Sequence, residues 1–179
     1  MTTLQSDILP IQKLKNALPF KKNEATIEEV LAKISVFESL KPKELRQVAA
    51  IVHRRRYKSG EYIVRQNDPG LGMYVIESGE VSVMLEENGS TKQLASLCEG
   101  EFFGEIALLD ESPRSATVIA QTESALIGFF RPDLFDIIEK SPATGLKIVL
   151  RLAEMLGERL RNSNLEISKL RAQLNTIQH

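Results

Sequence analysis

The chain has one cysteine, Cys98, and two histidines, His53 and His179. A single cysteine excludes an intramolecular disulfide, a cysteine-rich zinc site and a four-cysteine iron–sulfur cluster. Two histidines so far apart leave no His-rich metal centre. Neither sign of charge dominates: 23 Lys and Arg stand against 24 Asp and Glu, a formal net charge of -1. Total charge therefore gives no indication of a strongly basic nucleic-acid binder. No apolar run approaches the ~20 residues of a membrane span, and the N-terminus does not read as a signal peptide. The expectation is a soluble, cytoplasmic protein with no direct nucleic-acid or membrane partner. What is present is ordinary for a globular chain: 179 residues, 42% hydrophobic and 26% charged. That is room for one domain plus a helical appendage.

Three parts can be read along the chain. Residues 1–24 form an arm poor in apolar residues and punctuated by Pro10 and Pro19. Ile11, Leu14 and Leu18 share one helical face, so the arm reads as frayed with a helical turn or two, its role in partner recognition open. Residues 25–140 form the main domain. Thr26 with Glu29 three residues on makes a capping box, and Ile27, Val30, Leu31 and Ile34 supply the buried stripe behind it. A second short helix starts near Pro42. From about residue 51 to 130 the period becomes strand-like, in the runs YIVR, MYVIE, VSVMLEE, QLASL, SATVIAQ and SALIGFF. Gly- and Asn-containing turn signals separate most of them, a pattern expected of a sandwich, jelly roll or barrel. The basic run His53 to Lys58 reads as a solvated strand face.

Residues 141–179 carry no strand pattern. A helix over RPDLFDIIEKS ends before Pro142, and a helical segment of about 35 residues follows, ~50 Å long. Such a helix must lean on something. Val149, Leu152 and Leu156 form one apolar stripe, and Ser163, Ile167, Leu170, Leu174 and Ile177 a second, with Leu160 read as one position off the line between them. The stripes predict a short coiled-coil seam and a homodimer through this lid-like helix; the alternative is packing back on the chain's own domain.

One stretch breaks the strand rhythm, GEFFGEIALLDESPRSATV at residues 100–118. A short helix near Glu105 to Leu109, preceded by Gly104, exposes backbone N–H groups to an anion. Arg114, nine residues after Glu105, supplies a guanidinium suited to bidentate phosphate contact. Carboxylate, guanidinium and amide donors together suit a sugar-phosphate, with Glu105 accepting a ribose hydroxyl. A plain Glu105–Arg114 ion pair, the helix being only a connector, is the open alternative.

Phe103-Gly-Glu-Ile-Ala-Leu108 followed by Pro113-Arg-Ser-Ala-Thr-Val118 resembles the phosphate-binding cassette of cyclic nucleotide-binding domains. The similarity extends through Asn67-Asp68, Met73 to Val81 and the flanking helices, over about residues 28–165. The resemblance implies an α+β fold: an eight-stranded jelly-roll β-roll with N-terminal helices, a short cassette helix and a long C-terminal helix. It implies that Glu105 binds the ribose 2′-hydroxyl and that Arg114 pairs with the cyclic phosphate, aided by backbone groups of Gly104, Ile106 and Ala107. Ser115 would add a hydroxyl toward phosphate or base. Val83, Leu94 and Phe103 would give apolar contact, and Ser163 and Asn164 would reach the purine edge. Asn67 stands where the family usually has glycine; asparagine also tolerates a left-handed turn.

Cyclic GMP sites of the family often carry threonine directly after the cassette arginine, and here the residue is Ser115, which favours cyclic AMP. The expected function is a non-enzymatic regulator, without cofactor or metal, whose C-terminal helix changes position on ligand binding. The competing readings are a degenerate scaffold that only dimerises, a cupin-like enzyme and a redox or haem sensor. No helix-turn-helix, kinase-docking or pore segment is recognised after the long helix, so the downstream partner is unknown.

Overall fold

The computed structural model of the protein describes residues 25–177. The arm of residues 1–24, with the helical turn expected there, and His179 lie outside the described residues. Helix α1 spans Ile27–Leu31, and its capping box forms: Thr26 Oγ1 accepts from the Glu29 N–H at 3.3 Å while the Glu29 carboxylate accepts from the Thr26 N–H at 2.9 Å. A 3-10 turn at Ser35–Phe37 leads to α2, Pro42–Ala49, where the Glu44 carboxylate accepts the Lys41 N–H at 2.7 Å.

Eight strands follow: β1 His53–Tyr57, β2 Tyr62–Val64, β3 Gly72–Ser78, β4 Glu80–Glu87, β5 Ser90–Cys98, β6 Phe102–Phe103, β7 Thr117–Ala120 and β8 Ser124–Phe130. They make two antiparallel four-stranded sheets, β1-β8-β3-β6 and β2-β7-β4-β5, a jelly-roll-like arrangement. The chain passes from one sheet to the other at Gly79, between β3 and β4. Asn88 and Gly89, both with positive φ (52° and 76°), close the β4–β5 hairpin with the twist that adjacent strands need. The two-residue β6 escaped the strand reading because it lies inside the cassette.

Alternation along β3 builds two cores. Met73 and Val75 join Ile127 and Phe129 against the helices, packing on Phe37, Leu134, Ile148 and Leu152. Ile76 faces the other way, into the roll, with Tyr57, Val81, Phe103, Val118 and Leu126. Each fully buried Phe, Leu or Ile there contributes ~1.5–3 kcal/mol. The basic run is not a uniformly solvated face. Arg54 pairs with Glu77 at 2.5 Å in a largely covered contact, while Arg55 meets Glu61 at 3.3 Å and Arg56 meets Glu123 at 3.9 Å. Each arginine has its own carboxylate, so the run is neutralised locally.

Helix α3 spans Arg131–Lys140 and α4 spans Pro142–Ile177, 36 residues. Gly145 sets their approach, since a Cβ there would come within 2.8 Å of the Ile138 Cα. The first turns of α4 are clamped to the N-terminal helices. Lys147 pairs with Glu44 at 2.7 Å, Arg151 pairs with Glu38 at 2.6 Å, and Arg151 Nε donates to the Ser35 carbonyl at 3.1 Å. Ile148 and Leu152 are fully buried, with Val149 and Met155 packed beside them. This corrects the first stripe, because Val149 and Leu152 pack on their own domain. Counting back from Leu174 through Leu170, Ile167, Ser163, Leu160 and Leu156 gives steps of 4, 3, 4, 3 and 4. Leu160 is therefore on the heptad line, and Leu152, which faces the core, is off it. Leu160, Ile167, Leu170 and Leu174 are exposed.

Candidate functional site

The site is built around Gly104. Its φ of 79° suits glycine, and a Cβ there would collide with the Arg114 guanidinium and lie 3.0 Å from the Gly72 carbonyl. Gly104 opens a 3-10 turn over Glu105–Leu108, tighter and shorter than the helix expected. The Ala107 N–H closes that turn on the Gly104 carbonyl at 3.2 Å, so this amide is already engaged. Beyond the turn, the Asp110 carboxylate accepts from the Ser112 N–H at 3.1 Å and from its hydroxyl at 2.7 Å.

The backbone of Arg114 is held by the turn at Asn67. The Asn67 N–H donates to the Arg114 carbonyl at 2.9 Å, and the Arg114 N–H donates to the Asp68 carbonyl at 2.8 Å. Asn67 adopts φ 69°, so the left-handed turn survives the missing glycine. Arg114 is buried, with a relative exposure of 8%. Its Nη2 donates to the Gly72 carbonyl at 2.7 Å and its Nη1 to the Gly104 carbonyl at 3.5 Å, and its Nε has no partner. The Tyr74 ring lies 5.9 Å away and stacks on Phe103. Burial pushes the guanidinium pKa down, partly offset by Tyr74 and Glu105. A buried cation resting on carbonyls rather than on a carboxylate leaves room for an anion.

Glu105 is also buried, 4% exposed. Its carboxylate accepts from Arg159 of α4, and the Arg159 guanidinium lies 5.5 Å from the Phe102 ring. The Glu105–Arg114 ion pair left open by the sequence does not form. Glu105 faces a cavity of about 410 Å3, within the ~300–1,000 Å3 of small-molecule pockets. The cassette turn, Arg114 and Ser115 line one side, Val83, Ala95, Leu97, Phe102 and Phe103 another, and Arg159 the α4 side. Among the described residues no group of three or more His, Cys, Asp or Glu is placed to hold a metal ion, and no helix is long and apolar enough to cross a membrane.

Residues 54–141 match the family model described as the cyclic nucleotide-binding domain. This part of the chain belongs to the cyclic nucleotide-binding domain family. The chain is 35% identical over 136 residues to the cyclic AMP receptor protein of Thermus thermophilus, covering 75% of this chain and 61% of that protein. It is 40% identical over 96 residues to a cAMP-dependent protein kinase regulatory subunit of Emericella nidulans (54% of this chain, 23% of the relative). It is 39% identical over 93 residues to the cGMP-dependent protein kinase egl-4 of Caenorhabditis elegans (51% and 12%). The crystal structure of the Thermus thermophilus catabolite activator protein superposes with a TM-score of 0.68 at 35% identity, over 76% of this chain and 62% of that one. The chain thus spans less than two thirds of each relative.

Within this cyclic nucleotide-binding domain, the structure brings Gly104, Glu105, Ile106, Ala107, Arg114, Ser115, Val83 and Phe103 to one cavity. Leu94 is not among them. It sits at the bulge where the β4–β5 register shifts, 52% exposed, and strand alternation turns Ala95 and Leu97 to the cavity in its place. Ser163 and Asn164 are exposed on α4 and do not line the cavity. The residue of α4 that lines it is Arg159, one turn earlier. Arg159 follows buried Leu152 by seven residues and so lies on the same helix face. A charged side chain on the continuation of a buried stripe was the available signal.

Proposed function

We propose that the chain is a cyclic-nucleotide-binding regulatory module that prefers cyclic AMP. The observation that carries this reading is Arg114, a buried guanidinium with no carboxylate partner at the wall of a cavity of nucleotide size. The cyclic phosphate sits on Arg114, and Glu105 accepts the ribose 2′-hydroxyl. The purine lies against Val83, Ala95 and Leu97 with the Ser115 hydroxyl near its edge. The relatives named for cyclic AMP, and serine rather than threonine at 115, support the preference. Glu105 carries the ligand's presence to Arg159, and α4 then settles into a different position over the roll, bringing Ser163 and Asn164 toward the base. A ligand drives that shift only through its differential affinity for the two helix positions. The module works in solution in the cytoplasm, as a homodimer through the distal part of α4, and passes the signal to a separate protein.

Isothermal titration calorimetry of nucleotide-free protein tests this. One cyclic AMP per chain, bound more tightly than cyclic GMP, is the expected result. Folded, empty protein that gives no heat with either nucleotide at two temperatures would instead support a roll kept only as a dimerisation scaffold.

A further inference from the structure

Among the described residues, four charged side chains line the cavity: Arg114, Arg159, Glu105 and Asp110. Glu105 and Arg159 pair with one another and cancel. That leaves Arg114, which has no carboxylate partner, and Asp110, on the loop that joins the cassette turn to Arg114. Asp110 is pinned by both the N–H and the hydroxyl of Ser112. The same two bonds hold its carboxyl below the usual aspartate range, so it is ionised at neutral pH. The described residues of the cavity lining therefore offer one uncommitted positive charge and one fixed negative charge.

Resting on the reading of this cavity as a cyclic nucleotide site, we propose that Asp110 is a specificity determinant that disfavours doubly charged phosphate monoesters. A cyclic phosphate is a diester with a single charge, which Arg114 matches. A nucleoside 5′-monophosphate carries ≈ -1.5 to -2 near pH 7. Its second charge finds no second free cation among the described residues of the cavity lining, since Arg159 is engaged, and it adds repulsion from Asp110. Substrate shape also separates the two ligands, so the test must hold shape constant while changing charge.

Three ligands do this: cyclic AMP, 5′-AMP, and the methyl ester of 5′-AMP, which is acyclic like 5′-AMP but singly charged like the cyclic diester. Affinities are measured by competition on the nucleotide-free wild type and on Asp110→Asn. Asparagine keeps an oxygen for the Ser112 N–H and removes the charge. In the wild type the methyl ester should bind about two- to fivefold more tightly than 5′-AMP, the range expected of one interaction between partly solvated charges. In Asp110→Asn that ratio should fall toward one. The ratio should also fall in the wild type as salt is raised from low ionic strength, an arm that needs no variant. Equal binding of the two acyclic ligands by the wild type, an unchanged ratio in the variant, or no binding of either acyclic ligand to both proteins would each overturn the proposal. Wild type that fails to bind cyclic AMP at all would overturn the nucleotide reading itself, a separate result.

Discussion

On the proposed reading, Arg114 concentrates the binding chemistry in one side chain. Its carbonyl contacts orient the guanidinium, but they do not neutralise it. Replacing it with alanine removes the one cation of the cavity lining that, among the described residues, has no carboxylate partner. Loss of a charge-assisted contact to a desolvated phosphate costs ~2–5 kcal/mol, or about 30- to several-thousand-fold in affinity. Arg114→Lys should bind poorly as well, because an ammonium cannot span the positions that two guanidinium nitrogens occupy. Calorimetry on both variants checks this, and affinities equal to wild type would remove Arg114 from the site. At the same scale, Cys98 is a quiet thiol despite its exposure. Its Sγ lies 3.3 Å from the Glu101 carboxylate, and that hydrogen bond raises the thiol pKa. Only the thiolate is nucleophilic. Alkylation by iodoacetamide at pH 7.5 should run slower than for a free cysteine and speed up in Glu101→Gln. An equal or faster rate in wild type would contradict this account.

Elements hold the site by clamping α4 at its beginning. Lys147 bonds both oxygens of Glu44, at 2.8 and 2.7 Å, tying α4 to α2. The hydrogen bond from Lys147, and then that from the Lys41 backbone, lower the Glu44 pKa below its ordinary 4.5. The folded state therefore favours the ionised carboxylate. The stabilisation is complete above the ordinary value and is lost as pH falls through the lowered one. Glu44→Gln should lower the melting temperature at pH 7 by a few degrees at most, since the pair is partly solvated and worth up to ~1 kcal/mol. The gap between variant and wild type should close as the pH falls from the ordinary 4.5 through the lowered value. A gap of constant size down to pH 3 would mean that Glu44 acts through packing and not charge.

Across the whole molecule, α4 has two lives. Its first turns belong to the domain core through Ile148 and Leu152, and its distal turns expose Leu160, Ile167, Leu170 and Leu174 at heptad spacing. An apolar stripe of that kind invites a partner helix, and a second copy of the chain is the simplest source. Sedimentation should find the full chain dimeric. A chain ending at Ser163 should be monomeric with its roll intact, because the core-facing residues of α4 all precede that point. A truncated chain that remains fully dimeric would place the interface elsewhere.

Local features were legible in the order of the residues. Capping residues announced α1, and turn residues separated most of the strands. The contiguous cassette pointed to both the turn at Gly104 and the arginine that meets it. These signals are short-range, set by neighbours within a few residues. Which groups meet depends on how distant segments fold together. Glu105 is bonded to Arg159, 54 residues away, rather than to Arg114 nine residues away. Asn67, 47 residues before Arg114, anchors its backbone where β2 and β7 lie side by side. A one-residue bulge turns Leu94 outward and brings Ala95 and Leu97 in. The periodicity of α4 marked Leu152 as apolar, yet an apolar stripe looks the same whether it faces its own domain or a partner. What separates those cases is the position of the surfaces packed against it, which no local pattern records.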